Sequence, residues 1–502
     1  MIAKIQTLCL LGVEVMPVDV QVKITSGAGQ FNIVGLPDKS VNESKERVRA
    51  AMTSCGFEWC YDRIIVNLAP ADLQKEGNHF DLAIALGILV ATNAIKQEMV
   101  ENFFVLGELA LDGTISKVNG MVSAAIGAKQ KNYGIICPKI NAKEVACVDD
   151  VMPIIAAPNL LLLVKHLKGE VALQRPIYQA PTHINQYPDL ADVKGQQHAK
   201  RALEIAAAGN HNILMIGPPG TGKSMLASRL SGILPDLSNE EILAINMIHS
   251  ASGRSADSFI TSRPYRDPHH SCSMPAMVGG GAKAKPGEIS LAHFGVLFLD
   301  ELAEFPRQVL DSLRQPLETG NITIARANCH VTFPANFQLI SAMNPCRCGY
   351  LGDAKKECKK APICGSDYKG KISGPLLDRI DITVNVTPID FFVENKTIGE
   401  SSQAIKARVI ATRELQKKRY ENFSCATSLK TNAKIDGKIL ENFITLDEES
   451  KKILQNAVEK MSISMRGMTR ILRVARTIAD MDLQENINKS HLLEAIGYRR
   501  GI

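Results

Sequence analysis

Eight consecutive residues, Gly217-Pro218-Pro219-Gly220-Thr221-Gly222-Lys223-Ser224, narrow the possible folds of this chain more than any other stretch. They follow an apolar run, Asn212 to Ile216, that reads as a short buried strand, and they precede helical character from Met225 to Leu230. Strand, glycine-rich turn and helix in that order form a P-loop. The glycines let backbone amides curl around phosphate oxygens, Lys223 sets a point charge against the β- and γ-phosphates, and Ser224 can ligate Mg²⁺. A chance glycine-rich turn lacks that context. The pattern predicts a site for ATP and Mg²⁺ along Gly217 to Ser224.

A second buried run, Gly295 to Leu299, ends on Asp300-Glu301. This is a Walker B pattern, with Asp300 orienting the Mg²⁺ shell and Glu301 polarising the attacking water. An acidic strand end can also cap the next helix, and the P-loop upstream decides for the catalytic reading. A third strand, Phe337 to Ala342, leads to Met343-Asn344, where an Asn taken alone is a turn residue.

At 502 residues the chain predicts about three domains. Hydrophobic residues make up 45% and charged residues 22%, ordinary for a soluble globular protein, and the net charge of +6 is a mild bias toward polyanions. Leu8 to Val13 is too short for a signal peptide, and Val151 to Val164 is broken by Pro153, Pro158 and Asn159, so the expectation is a cytoplasmic protein with no membrane span.

Residues 1–170 read as α/β. Val18, Val20, Val22 and Ile24 alternate with polar residues as a half-buried strand does, Ser40 to Thr53 and Asp81 to Ala91 read as helices, and Ile135 to Cys137 as a strand. Residues 171–188, with Pro176, Pro181 and Pro188, read as a linker. Residues 189–390 form the motif-bearing α/β region. In 391–502 strands stop, and Ser401 to Tyr420, Glu448 to Met461 and Thr469 to Met481 show helical spacing.

The chain has twelve cysteines, and Cys346, Cys348, Cys358 and Cys364 follow Asn344 as C-x-C-x₉-C-x₅-C. Thiolates at this density in a loop of about 344–366 suit a structural, closed Zn²⁺ site. The first pair is tighter than the usual C-x₂-C, and the alternative is four free thiols liable to oxidation. Nearby lysines, such as Lys355 and Lys371, read as solvated charge.

The stretches DPHHSCSMPAMVGGG, PGEISLAHFGVLFLDELAEF, SAMNPCRCGY, SGPLLDRIDI and SMRGMTRILRVARTIADMD resemble the ComM/YifB family of magnesium-chelatase-like AAA+ proteins over nearly the whole chain. The resemblance implies an AAA+ core with a C-terminal helical lid, a homo-hexamer, and ATP-driven branch migration of DNA in natural transformation and homologous recombination. It places Asn344 between Walker A and Walker B, in contact with the γ-phosphate or water. It makes Arg379 an arginine finger reaching the neighbouring subunit's nucleotide, in place of a partner for Asp378 or Asp381. Arg470 falls at the sensor-2 position, with Arg466 as the alternative.

GGGAKAKPGE, with Lys283 and Lys285, matches the position of an insert projecting into the ring's channel, and Ile322 to Asn328 resembles a hairpin with Arg326 at its tip. A few cations on pore loops suit sequence-independent contact with a phosphate backbone. Aromatic residues, at 5%, are too sparse for base stacking to supply much affinity.

EGNHFDLAIALGIL and LGELALDGTISKVNGMVSAAIGA resemble the Lon-protease-like domain, with His79 at the serine and Val122 at the lysine position. A histidine and a valine cannot run Ser–Lys chemistry, so a non-proteolytic module is expected. The competing readings are a magnesium-chelatase-type motor subunit, which needs a metal-binding partner chain, and an ATP-dependent peptidase or remodeller.

Overall fold

The computed structural model describes all residues except 1, 28, 179–186, 254–258, 282–283, 326–329, 352–357, 359–360, 389–398, 422–430, 436, 462 and 500–502. The chain forms two compact units, neither of them one continuous stretch. The first comprises Met1–Thr182, Asn239–Thr261 and Ala325–Phe333, and the second His183–Ser238, Ser262–Ile324 and Pro334–Ile502.

The first unit is built on a seven-stranded sheet in the order Phe31–Val34, Arg63–Ala69, Glu14–Thr25, Ile2–Leu11, Phe103–Val105, Gly134–Pro138, Ile154–Ala157. Val18, Val20 and Val22 are buried on one face of Glu14–Thr25, as their alternation requires. Helix Asp81–Ala91 is buried from Asp81 to Val90 and packs on the two longest strands. Gly87 permits that approach, because a Cβ there would lie 2.6 Å from the Val22 side chain. The helix expected from Ser40 to Thr53 is kinked into Lys39–Asn42 and Ser44–Ser54. The Glu43 amide divides between the Lys39 and Val41 carbonyls, and the Asp38 carboxylate caps the start.

The second unit carries a five-stranded parallel sheet in the order Tyr265–Arg266, Val296–Leu299, Gln338–Met343, Ile213–Ile216, Ile382–Asn385. Its three middle strands are wholly buried, which is why they read as unbroken apolar runs instead of alternating ones. Among the described residues no strand follows Asn385. Helices Ser402–Tyr420, Glu448–Lys460, Met465–Met481 and Lys489–Gly497 follow. Met465–Met481 begins four residues before the expected Thr469, because the Ser464 hydroxyl caps it through the Gly467 amide at 3.1 Å. Its buried Ile471, Val474, Ala475, Ile478 and Ala479 form one helical stripe, each large aliphatic contributing ~1.5–3 kcal/mol of burial. No helix among the described residues is long and apolar enough to cross a membrane.

Candidate nucleotide site

The strand order builds the site. Gln338–Met343 lies between the strand entering the P-loop and the strand ending at Asp300, so Asn344 emerges between the two motifs. The Lys223 ammonium donates to the Gly217 and Pro218 carbonyls, both at 2.8 Å, and to Asn344 Oδ1 at 3.2 Å. Burial pushes it below its ordinary pKa, while the carboxylates of Asp300 and Glu301 pull the other way. Lys223 is therefore a desolvated cation held by neutral oxygens, ready to exchange them for anionic ones.

Ser224 donates to Asp300 Oδ2 at 2.7 Å, and Thr221 donates to the Pro218 carbonyl at 2.9 Å. The Ser224–Asp300 pair is an oxygen donor set suited to a hard divalent cation. Two glycines explain the turn. A Cβ on Gly217 would stand 2.2 Å from the Val386 carbonyl oxygen, and Gly222 has φ +86°, a left-handed conformation that admits glycine readily. A Cβ on Gly220 or Gly222 would meet no atom within 4 Å, so the amide-lined side of the loop is open. An open cradle, a buried lysine and the Ser224–Asp300 pair fit a nucleoside triphosphate with Mg²⁺.

Around Glu301 the structure adds residues whose signal in the sequence was only the motif DPHHS. His270 Nδ1 lies 3.3 Å from Glu301 Oε2. The Asp267 carboxyl is raised above its ordinary value, first by burial and then by the Asp300 carboxylate. Arg266 pairs with Glu288 at 2.5 Å, bracing the strand beside Val296–Leu299.

The two arginines singled out by resemblance have other partners. Arg379 is ion-paired with Glu318 and donates to the Arg314 carbonyl at 3.2 Å. Burial lowers its pKa, Glu318 opposes that, and the guanidiniums of Arg466, Arg470 and Arg314 add to the lowering. Arg470 is ion-paired with Asp381, a carboxylate 2% exposed, and donates to the Arg379 carbonyl. Arg466 is exposed.

The Cys346 and Cys348 sulfurs are 3.1 Å apart, and Cys364 and Cys348 each also engage Cys358. Burial, with the neighbouring thiols, pushes Cys364 up to about 12. For Cys346 burial acts upward, but the Cys348 thiol and the backbone amides of Leu351, Gly349 and Tyr350 outweigh it and lower the group. Among the described residues no group of three or more His, Cys, Asp or Glu is disposed to hold a metal ion. This cysteine segment touches the P-loop, since a Cβ on Gly349 would lie 2.6 Å from the Pro219 ring.

Of the residues expected to meet DNA, Lys285 is exposed in the short ladder of Gly279–Gly280 with Lys285–Pro286. Lys283 and Arg326 lie outside the described residues, although Asn321–Ala325 and His330–Pro334 do form a two-stranded sheet. In the first unit His79 is buried, its Nε2–H donating to the Leu8 carbonyl at 2.9 Å, and burial lowers its pKa to about 4. Val122 is buried in the apolar core.

Parallel sheet, P-loop, acidic strand end and interposed asparagine, followed by a helical C-terminal region, define an AAA+ P-loop protein. Residues 189–392 match the family described as magnesium chelatase, subunit ChlI. Residues 20–141 match subunit ChlI of Mg-chelatase, and residues 399–499 match magnesium chelatase, subunit ChlI C-terminal. YifB of Escherichia coli strain K12 is 43% identical over 498 residues, 99% of this chain and 96% of that protein. Competence protein ComM of Haemophilus influenzae is 42% identical over 497 residues, 97% of this chain and 96% of that protein. The DNA replication licensing factor mcm6 of Dictyostelium discoideum is 21% identical over 314 residues, 60% of this chain and 32% of that protein. The chain belongs to the ComM/YifB family of magnesium-chelatase-like AAA+ proteins.

Proposed function

We propose that the chain is the subunit of a cytoplasmic, hexameric ATPase that moves along DNA and drives branch migration in natural transformation and homologous recombination. The observation that carries the reading is the join between catalysis and a cationic loop. The strand beside the Asp300–Glu301 strand runs on, through His270 and helix Met274–Val278, into the ladder that exposes Lys285. The relatives named a competence protein and a replication licensing factor supply the choice of DNA as the polymer.

Lys223 exchanges its carbonyl partners for β- and γ-phosphate oxygens, and Asn344 stays within reach of the same group. Ser224 and Asp300 hold Mg²⁺, which when bound neutralises phosphate charge. Glu301 orients the attacking water and accepts its proton. Arg379 acts on the nucleotide of the adjacent subunit, leaving Glu318 to do so. Arg470, committed to buried Asp381, holds the helical region in place. The exposed Arg466 is then the arginine that senses nucleotide. Residues 1–170 act as a non-proteolytic module, 171–188 as linker, 189–390 as the ATPase core and 391–502 as the lid. Although no group of three or more such residues among those described is disposed to hold a metal, Cys346, Cys348, Cys358 and Cys364 would be the ligands of one structural Zn²⁺, with thiolates as the donor set.

The deciding experiment measures ATPase rate with and without duplex DNA, then strand exchange on a synthetic four-way junction with ATP and Mg²⁺. DNA-stimulated hydrolysis and ATP-dependent exchange are expected. Replacing Lys283, Lys285 and Arg326 together by Ala is expected to reduce exchange equally on unrelated sequences. It should also make the salt dependence of DNA binding shallower, by roughly one unit of slope for each phosphate no longer neutralised. ATP hydrolysis indifferent to DNA refutes the motor reading and leaves the chelatase-type one.

A further inference from the structure

One side of the seven-stranded sheet carries polar residues that neither the core nor the nucleotide site uses. Side chains alternate along a strand. Ala3 and Ile5, Val20 and Val22, and Ile64 and Val66 are buried on one face of strands Ile2–Leu11, Glu14–Thr25 and Arg63–Ala69. Helix Asp81–Ala91 packs on the first two of these strands, where a Cβ on Gly87 would meet Val22 and Ile5. The residues in between point to the opposite face. Among them Lys4, Lys23 and Arg63 are exposed, and Gln21, Ile65 and Asn67 are half-buried.

Strand pairing sets these residues in rows. Lys4 stands opposite Gln21, and Gln21 opposite Asn67. In the next row Ile2, 54% exposed, stands opposite Lys23, and Lys23 opposite Ile65. Arg63, opposite Thr25, begins the third. Strands lie about 4.8 Å apart and same-side residues about 6.8 Å apart along each, so the three cations fall within roughly 17 Å. The carboxylate of this face, Asp19, sits one row beyond Gln21 and accepts from the Gln6 amide at 2.8 Å. At the centre Asn67 Nδ2 donates to Gln21 Oε1 at 3.1 Å, so Gln21 Nε2 and Asn67 Oδ1 present a donor and an acceptor to a ligand.

Cations, amides and aliphatic surface together match the chemistry of an unpaired nucleic-acid strand. The cations take phosphates whatever the sequence, the amides take the hydrogen-bonding edges of bases, and Ile2 and Ile65 cover base faces. A duplex keeps its base edges inside grooves that a broad sheet face does not enter. It would meet the cations and leave the amides and isoleucines unused. We propose that this sheet face binds single-stranded DNA and holds the unpaired strand that branch migration transiently releases. That role rests on the DNA-motor reading above, whereas the binding itself requires no ATP.

The test uses the full chain without nucleotide, a fluorescein-labelled oligo(dT) strand and an abasic strand of equal length. Oligo(dT) carrying 4-thiothymidine, irradiated on the protein, should give adducts on peptides from Ile2–Leu11, Glu14–Thr25 or Arg63–Ala69. Replacing Lys4, Lys23 and Arg63 together by Ala should weaken oligo(dT) binding on the order of 10-fold at low salt, read by anisotropy. The salt dependence should become shallower by about two units of slope, at ~0.7 for each of three phosphates. Gln21→Ala/Asn67→Ala should weaken oligo(dT) and leave the abasic strand within about twofold of the parent, because amides that read bases gain nothing from phosphates. Adducts confined to other peptides, or a triple variant that binds oligo(dT) as the parent does, overturn the proposal. If the triple variant changes only the assembled mass in mass photometry, the face joins copies of this chain, and the proposal fails. ATP hydrolysis by the parent that is indifferent to duplex DNA ends the motor reading alone, since the adducts form without hydrolysis and decide strand binding by themselves.

Discussion

Arg470→Ala separates a nucleotide-sensing arginine from a structural one. Asp381 is 2% exposed. Its Oδ1 is paired with Arg470, while Oδ2 keeps the Asn212 amide at 3.0 Å and His211 Nδ1 at 3.6 Å. Burial acts to raise the Asp381 pKa, but Arg470, His211 and the Asn212 amide more than offset it, and the carboxyl lies far below the usual range. Removing one partner of a buried ion pair costs ~3–5 kcal/mol. The remaining amide, with Lys434 and Arg499 near Asp381, keeps some compensation, so we expect the low end, ~3 kcal/mol. At ~1.7 °C per kcal/mol for a unit of about 300 residues, the midpoint should fall by roughly 5 °C. Differential scanning calorimetry of the parent, Arg470→Ala and Arg470→Ala/Asp381→Asn checks this. The double variant should recover much of the loss, because its buried group no longer carries charge. The depressed pKa also sets a sign: the contribution is complete above the ordinary carboxylate range and is lost as pH falls below it toward the folded value. An unchanged midpoint with lost hydrolysis would refute the structural role and return the sensing role to Arg470.

Glu301→Gln should bind ATP and stall hydrolysis, whereas Lys223→Ala should lose nucleotide binding, and a filter-binding assay beside phosphate release distinguishes them. Arg379→Ala should bind ATP and lose turnover, on the order of 10³-fold or more, with part of the rate returning when it is mixed with Glu301→Gln protein. No return in rings shown to be mixed counts against action between subunits. Elemental analysis should find about one zinc per chain, absent from Cys346→Ser, which should also be less thermally stable. Folded, fully active zinc-free protein defeats that assignment. Because burial holds His79 neutral with a pKa near 4, the stability of the first unit should decline as pH falls from about 6.5 toward 4. Replacement of His79 by Gln should flatten that decline, as followed by circular dichroism.

What was legible in the sequence was local. The P-loop, the acidic strand end and the helix Asp81–Ala91 depend on near neighbours and on apolar periodicity, and all three appear where the residues put them. The break at Glu43 depends on how its amide divides between the Lys39 and Val41 carbonyls, and the early start at Met465 on the Gly467 amide donating to the Ser464 hydroxyl, details that periodicity does not register. Partners distant along the chain were not legible. Nothing in GMTRIL indicates a carboxylate 89 positions earlier, and nothing in DPHHS indicates a glutamate 31 positions later. The pairing of Tyr265–Arg266 with Val296–Leu299 makes the second meeting and the placing of helix Met465–Met481 makes the first, and both are properties of the whole unit.

The interleaving of the two units also bears on how the protein is made. The helix Asn239–Ala251 belongs to the first unit, where Leu243 and Met247 pack on the core around Leu8 and Val122 and the Ser250 hydroxyl accepts from the Gly120 amide at 2.8 Å. Val331 reaches the same unit, close against Gly12. A ribosome that has released residue 182 has not released a complete fold. It must add about 150 residues more, roughly 8–30 s of synthesis, before the last segment of the first unit arrives. For the first part of that interval, about 80 residues or roughly 4–16 s until Thr261 is made, the face awaiting Leu243 and Met247 is open to solvent, so the nascent chain has a window in which a holding chaperone can bind. A truncated product ending in the linker would keep that face exposed permanently.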